Sequence, residues 1–168
     1  MATPFSNAQN NALMSHALAQ ARRAFRKGEV PIGAVVVSSQ GRIIGRGYNR
    51  VETKKTQLAH AEVQAIARAC KAIGDWRLAG CWIYVTLEPC SMCMGLLLQS
   101  RVDGVVFGAH SPLFGYSLDK NGLFQLYKMN TIQVVAGIGA DEAAQLLKQF
   151  FIMQREAKSG RGKKPDTF

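Results

Sequence analysis

Two short segments of the sequence carry residue types that bind metals. The first is His60-Ala61-Glu62, and the second is Cys90-Ser91-Met92-Cys93, directly after Pro89. Each segment is predicted to open a helix, where residues three apart lie on one face, so the two cysteine sulfurs can converge on a single point. The positive end of the helix dipole also favours their thiolate forms. With His60 the cysteines supply three ligands, the pattern of a catalytic zinc site that leaves its fourth tetrahedral position open to water.

Glu62 lies two residues after the histidine and is interpreted as a proton carrier rather than a ligand. Zinc lowers the pKa of a bound water molecule toward about 7. A nearby carboxylate can accept a proton from that water and return it to a leaving amine. The sequence therefore predicts hydrolytic chemistry, with Zn²⁺ held by His60, Cys90 and Cys93 and with Glu62 as the catalytic acid and base.

Each motif taken alone has other interpretations. A Cys-x-x-Cys pair can be a redox pair or half of a structural zinc site, which Cys70 or Cys81 could complete. Cys70 falls among apolar positions of a predicted helix and Cys81 precedes a predicted strand, so both are interpreted as packing residues. In combination, His-x-Glu and Pro-Cys-x-x-Cys match the signature of zinc-dependent nucleobase deaminases.

The rest of the sequence predicts the elements that position these motifs. Apolar residues at helical spacing predict a first helix after Ser6 that ends at Gly28, and two strand-like runs predict a hairpin over 32–37 and 42–48. Strands and helices then alternate: the predicted strands cover 82–86, 102–107 and 132–135, and the predicted helices cover 61–73, a segment after Pro89, and 141–157. This order indicates an α/β fold, a three-layer α/β/α sandwich with a five-stranded mixed sheet. We expect residues 1–157 to form a single domain and residues 158–168 to form a basic, flexible tail.

The formal net charge of +10 is unevenly distributed along the chain. Residues 22–55 hold nine basic and two acidic side chains, residues 155–168 hold five and two, and the region between them holds seven of each. Clustered Lys and Arg attract phosphates, so these flanks favour a polyanionic partner such as a nucleic acid. The alternative is a solvated basic face that serves only solubility.

Export and membrane insertion are not indicated. The first 21 residues carry no charge, but polar side chains interrupt them and no basic segment precedes an apolar block. Four cysteines without an export signal are more consistent with metal binding or catalysis than with disulfides. We therefore expect a cytoplasmic protein that does not contact a membrane.

The sequence resembles the cytidine deaminase-like zinc enzymes and, among them, the bacterial tRNA-specific adenosine deaminases. The resemblance extends over residues 7–156. It is carried by EVPIGAV at 29–35, GYNR at 47–50, AHAE at 59–62, VTLEPCSMC at 85–93, VVFGA at 105–109 and FF at 150–151.

This resemblance implies deamination of the wobble adenosine of a tRNA anticodon loop to inosine, by a homodimer with one zinc ion per subunit. It also implies a cytidine deaminase-like fold. The substrate-binding positions of the family correspond to Asn49, which would orient the base, and to Ile32, Leu87 and Ala61, which would line the pocket. Two segments depart from the family pattern, namely 56–58, which reads Thr-Gln-Leu where relatives usually carry Asp-Pro-Thr, and 110–114 after the VVFGA segment.

Alternatives stay open at this point. A turn residue would also explain Asn49, and packing would also explain Ile32 and Leu87. A deaminase of a free base or small nucleoside, such as guanine or cytosine, would share the zinc site but would not need the positive charge. A non-catalytic, zinc-stabilised RNA-binding module would leave Glu62 without a role.

Overall fold

The structure is a computed structural model in which residues 3–118 and 132–160 are described. Five helices and five strands are found there: α1 (Asn7–Arg26), β1 (Gly33–Val37), β2 (Ile43–Tyr48), α2 (Val51–Lys54), α3 (Ala61–Ile73), β3 (Trp82–Leu87), α4 (Ser91–Gln99), β4 (Gly104–Ala109), β5 (Gln133–Ala136) and α5 (Ala140–Gly160). Two 3-10 turns, Gln57–Ala59 and Tyr116–Leu118, complete this part of the chain. The predicted helices and strands are present, whereas α2 and the two 3-10 turns were not predicted.

The five strands form one mixed sheet in the order β2-β1-β3-β4-β5. β1 is antiparallel to both of its neighbours, and β3, β4 and β5 are parallel to one another. Consecutive strand residues face opposite sides of a sheet, and two core clusters follow from this alternation. Val36, Ile83 and Val105 pack with apolar residues of α3 and α4, whereas Val35 and Tyr84 pack with those of α1 and α5. This arrangement confirms the predicted three-layer sandwich.

The segments that carry the predicted site residues lie at one edge of the sheet. β2 and β3 are each antiparallel to β1, so their carboxyl ends lie at the same edge as the start of β1. Asn49 follows β2, Cys90 follows β3, and Ile32 precedes β1. The backbone N–H of Asn49 donates to the carbonyl oxygen of Ile32 over 2.9 Å, which ties two of these segments together.

Two glycines of β2 let α3 approach the sheet closely. A Cβ on Gly47 would lie 2.0 Å from the carbonyl oxygen of Ala61, and one on Gly45 would lie 2.2 Å from that of Ala65. Both contacts are with helix backbone, so no side-chain rotation could relieve them. The absence of a side chain at these positions therefore fixes where the first turn of α3 lies.

The carboxyl-terminal helix is longer than the sequence suggested. α5 extends to Gly160, beyond the expected end of the folded unit at residue 157. The remainder of the expected tail, 161–168, lies outside the described residues. Within the described ranges, none of the helices combines the length and apolar character needed to span a bilayer.

Candidate metal centre and active site

His60 occupies the N-cap position of α3, where it ends the 3-10 turn Gln57–Ala59. Its φ and ψ of −58° and 150° are extended, so the chain turns into the helix directly after this residue. The ring is half-buried and directs Nδ1 toward the two cysteines. Nε2 faces the other way, 2.9 Å from Oε1 of Gln57.

Cys90 is the N-cap of α4, and Cys93 lies on the first turn of that helix. The sulfur of Cys90 is 3.8 Å from Nδ1 of His60, and the sulfur of Cys93 is 3.4 Å from the same atom. The three candidate ligand atoms all lie within 4.8 Å of one another. Bonds of about 2.3 Å to sulfur and about 2.05 Å to nitrogen in a tetrahedron would separate nitrogen from sulfur by about 3.6 Å. The two measured distances lie on either side of that value, so the donor set fits zinc.

The pKa values of the two cysteine thiols are shifted in opposite directions. A hydrogen bond from Cys93 lowers the pKa of Cys90 to about 4 despite its partial burial, and the hydrogen bond with His60 acts in the same direction. The pKa of Cys93 is raised by its hydrogen bond to Cys90 and by burial. The hydrogen bond with Cys90 also raises the pKa of His60, against the opposing effect of burial. One thiolate is thus already favoured among the protein groups, which is the form that binds a metal.

Glu62 lies on the first turn of α3 and is buried, with 4 % of its surface exposed. Burial raises the pKa of its carboxyl group above the ordinary value. A carboxyl whose pKa moves toward neutrality can both accept and donate a proton at physiological pH. The structure therefore places a buried carboxyl group with a raised pKa on the first turn after His60, and its catalytic role stays a prediction.

Asn49 is 5 % exposed and follows β2. Its backbone N–H is fixed by the bond to Ile32. Ala61, at the start of α3, is also buried, with its carbonyl oxygen directed at Gly47.

The other two expected pocket residues pack against different core clusters. Ile32 packs against the core cluster that includes α3 and α4. Leu87, at the end of β3, packs against the cluster that includes α1 and α5. Both are half-buried at the edge that carries the metal ligands, so part of each side chain packs in the core and part is exposed.

Glu88 is a residue of the site region to which sequence analysis gave no role. It is 3 % exposed, and its carboxylate accepts backbone N–H groups of Ser111 and Ser117. Burial opposes ionisation, but a hydrogen bond with the Ser117 side chain, the two backbone hydrogen bonds and one with His110 outweigh it and keep the pKa of Glu88 below its usual value. The segment that Glu88 holds is also joined to the ligands by a bridge between Gly115 and Cys90. A carboxylate at the end of a buried strand, directly before Pro-Cys, was the available signal.

The other two cysteines are packing residues, as predicted. Cys81 is 3 % exposed within the core cluster on the α3 and α4 side, and Cys70 packs against that cluster. Neither belongs to the metal-ligand group formed by His60, Cys90 and Cys93.

Exposed apolar side chains lie near the ligands along the chain. Leu58 is 67 % exposed two residues before His60, and Met92 is 42 % exposed between the two cysteines. Leu113 and Phe114, at 75 % and 74 %, directly precede Gly115 and its bridge to Cys90.

Comparison with known proteins agrees with this geometry. Residues 8–155 match the MafB19-like deaminase family. The chain is 45 % identical to a tRNA-specific adenosine deaminase from Bacillus subtilis, over 92 % of this chain and 96 % of that protein. The chain belongs to the family of tRNA-specific adenosine deaminases. A relative of the same name from Haemophilus influenzae is 42 % identical, over 87 % of this chain and 85 % of the other.

Solved structures of two kinds of deaminase share this fold. A structure from work on A-to-I editing by deaminases at the wobble position of transfer RNA has a TM-score of 0.75 and 38 % identity, covering 81 % of this chain and 99 % of the other. A guanine deaminase from Nitrosomonas europaea has a TM-score of 0.73 and 27 % identity, covering 83 % of each chain. Because the chain belongs to this family, it is a hydrolytic deaminase. The similarity to a guanine deaminase means that a tRNA substrate must be tested against a free base.

Proposed function

We propose that this protein converts adenosine to inosine at the wobble position of a tRNA anticodon, by zinc-dependent hydrolysis. The observation that carries the proposal is the convergence of one imidazole nitrogen and two cysteine sulfurs beside the buried carboxylate of Glu62. This convergence occurs in a chain whose relatives at 42–45 % identity are tRNA-specific adenosine deaminases. The reaction consumes water and releases ammonia from C6 of the base.

His60, Cys90 and Cys93 would hold the zinc ion. When bound, zinc supplies the Lewis acidity that makes water a nucleophile at neutral pH. A carboxylate oxygen of Glu62 would take one proton from the water and pass it to the ring nitrogen next to C6. It would then take the second proton, from the oxygen now bonded to C6, and pass it to the departing amine, which leaves as ammonia. The burial that raises its pKa prepares the carboxyl for both halves of this transfer.

Recognition of the base would fall to the residues around Asn49. Its buried side-chain amide can donate to one ring atom of the base and accept from another. Ile32 and Leu87 would form apolar walls, and the backbone of Ala61 would add a polar contact. Adenine would reach this pocket by leaving the base stack, which costs less in a loop than in a duplex.

Two arginines beside Asn49 support an RNA substrate. The guanidinium groups of Arg23 and Arg50 lie 4.9 Å and 5.6 Å from the centre of the Tyr48 ring. They belong to the basic 22–55 segment, and their charges are suited to the phosphates that flank an extruded nucleotide. A tRNA substrate also implies a cytoplasmic location.

A homodimer is the assembly that we propose. Leu58, Met92, Leu113 and Phe114 expose apolar surface around the ligand helices, and a second copy of the chain would remove this surface from water. Sedimentation velocity should give about twice the monomer mass.

Free guanine is the second candidate substrate, because a guanine deaminase matches the fold at a TM-score of 0.73. The test is incubation of the zinc-loaded protein with unmodified bulk tRNA and, separately, with adenine, guanine and cytosine. We expect inosine in the tRNA by nucleoside mass spectrometry and little ammonia from the free bases. Rapid ammonia release from guanine with no inosine in tRNA would replace the proposal with the small-molecule function.

A further inference from the structure

Gln57 is the nearest polar partner of the outward-facing nitrogen of His60. Its side-chain oxygen Oε1 lies 2.9 Å from Nε2, on the side of the ring opposite the cysteines. A carbonyl oxygen can only accept a hydrogen bond. In this orientation of the Gln57 amide, Nε2 carries a proton and donates it to Oε1.

This proton determines what the other nitrogen can do. A neutral imidazole has one N–H group, so a proton on Nε2 leaves a lone pair on Nδ1. Nδ1 is the atom that faces the sulfurs of Cys90 and Cys93, at 3.8 Å and 3.4 Å. An amide nitrogen in place of Oε1 would have the opposite effect, since it would donate to Nε2 and put the proton on Nδ1.

We propose that Gln57 is a positioning residue that orients His60 and selects its Nδ1-ligating tautomer for the metal. The inference rests on the zinc site proposed above and adds a residue to it. Partners of this kind behind a ligating histidine change metal affinity by about 10- to 100-fold. Gln57 is exposed, so water can partly replace its oxygen, and the lower end of that range is expected.

The local backbone makes this contact repeatable. The carbonyl oxygen of Gln57 accepts the backbone N–H of His60 at 3.3 Å, so the two residues close one 3-10 turn. Residues three apart in a 3-10 helix lie on the same side of it, which brings the two side chains together. The side chain of Thr56 accepts the backbone N–H of Leu58 and holds the start of the turn. The Gln57 amide thus reaches the ring from a fixed backbone position.

Gln64 offers a matched control. Its side-chain nitrogen donates to the carbonyl oxygen of Leu58 over 3.2 Å, so it supports the same turn. Among the hydrogen bonds of the described residues, the Gln64 amide makes none to the imidazole of His60. Gln57→Leu removes the acceptor at nearly constant volume, and Gln57→Glu restores one. Gln64→Leu removes a neighbouring amide of the same type.

The experiment is a zinc affinity measurement by competition with a chromogenic chelator on all four proteins, wild type included. Gln57→Leu should bind zinc about 10-fold more weakly, while Gln57→Glu and Gln64→Leu should stay within about 3-fold of wild type. Long-range ¹H–¹⁵N spectra of the zinc-loaded wild type should show His60 protonated at Nε2. Equal zinc affinity in Gln57→Leu and wild type would overturn the inference, and so would protonation at Nδ1.

A variant with both Cys90→Ala and Cys93→Ala separates this outcome from failure of the zinc site itself. If that variant keeps zinc, the ligand assignment fails and the role of Gln57 fails with it. If it loses zinc while Gln57→Leu keeps full affinity, only the role of Gln57 is refuted.

Discussion

Gly47→Ala should disable the active site through the backbone of α3. The new Cβ would lie 2.0 Å from the carbonyl oxygen of Ala61 and 2.7 Å from the backbone nitrogen of Ala65. Carbon and carbonyl oxygen rarely approach closer than about 3.3 Å, so the helix must move away by about 1 Å or more. That movement carries His60 and Glu62 away from the cysteines, which are fixed on α4.

The expected loss follows from this displacement. A misplacement of about 1 Å can cost about 10²-fold in turnover, and overpacking of this kind costs about 1–3 kcal/mol of stability. We expect Gly47→Ala to remain folded at 15 °C by circular dichroism, to bind zinc more weakly and to form inosine in tRNA about 10²-fold more slowly. Zinc content by mass spectrometry and single-turnover inosine formation are the two measurements.

Two glycines provide controls. A Cβ on Gly95 of α4 would meet nothing within 4 Å, so Gly95→Ala should keep zinc and activity and gain about 0.5–1 kcal/mol. A Cβ on Gly104 would lie 2.4 Å from the Trp82 ring, at the opposite edge of the sheet from the ligands. Gly104→Ala should therefore destabilise the protein but keep zinc. Wild-type zinc content and turnover in Gly47→Ala would refute the claim that the close β2–α3 contact positions the site.

Three further predictions concern metal, RNA and pH. Adding zinc should raise the melting temperature of the wild type but not of the variant with Cys90→Ala and Cys93→Ala, because a ligand stabilises only a protein that binds it; a zinc-dependent rise in the variant would exclude these ligands. RNA affinity should fall about 10³- to 10⁵-fold between 50 and 200 mM salt if the basic flanks make 6–10 phosphate contacts, and a filter-binding series without a salt slope would contradict this. Burial raises the pKa of Tyr84 to about 12 from an ordinary value of 10.0. Between pH 10 and about 12 the Tyr84 hydroxyl therefore keeps its proton in the folded protein and loses it in the unfolded chain. Its contribution to the free energy of unfolding is fully present below pH 10 and is lost as the pH rises through about 12. Urea titrations should show a smaller alkaline loss for Tyr84→Phe, and identical pH dependence would exclude Tyr84 as its source.

Much of the site could be predicted from the sequence because its ligands depend on local spacing. Cys90 and Cys93 are three residues apart at a helix start, and that spacing alone brings their sulfurs to one face. The edge shared by Ile32, Asn49 and Cys90 depends on the order and direction of the strands. Of these, the sequence predicted the hairpin and the mixed character of the sheet but not the pairing of β1 with β3. Their proximity in the sheet confirms the fold, while their substrate roles stay predictions.

The features that could not be predicted from the sequence depend on contacts that local spacing does not determine. α2 begins where the buried carboxylate of Glu29 accepts the backbone N–H groups of Glu52 and Thr53, more than twenty residues away along the chain. No periodicity within a four-residue helix can reveal such a cap. The role of Glu88 likewise depends on amides from a loop that returns after β4, and that of Gln57 on the direction of one ring nitrogen.

The central claim is most directly tested by inosine formation in unmodified tRNA, measured for zinc-loaded wild type and for Glu62→Gln. Glu62 is not a ligand in this account, so Glu62→Gln should keep one zinc ion per chain and the wild-type fold while losing about 10²-fold or more in turnover. Wild type should produce inosine at the wobble position in the same assay. Turnover by Glu62→Gln at the wild-type rate, or a zinc-loaded wild type that forms no inosine in tRNA, would contradict the account.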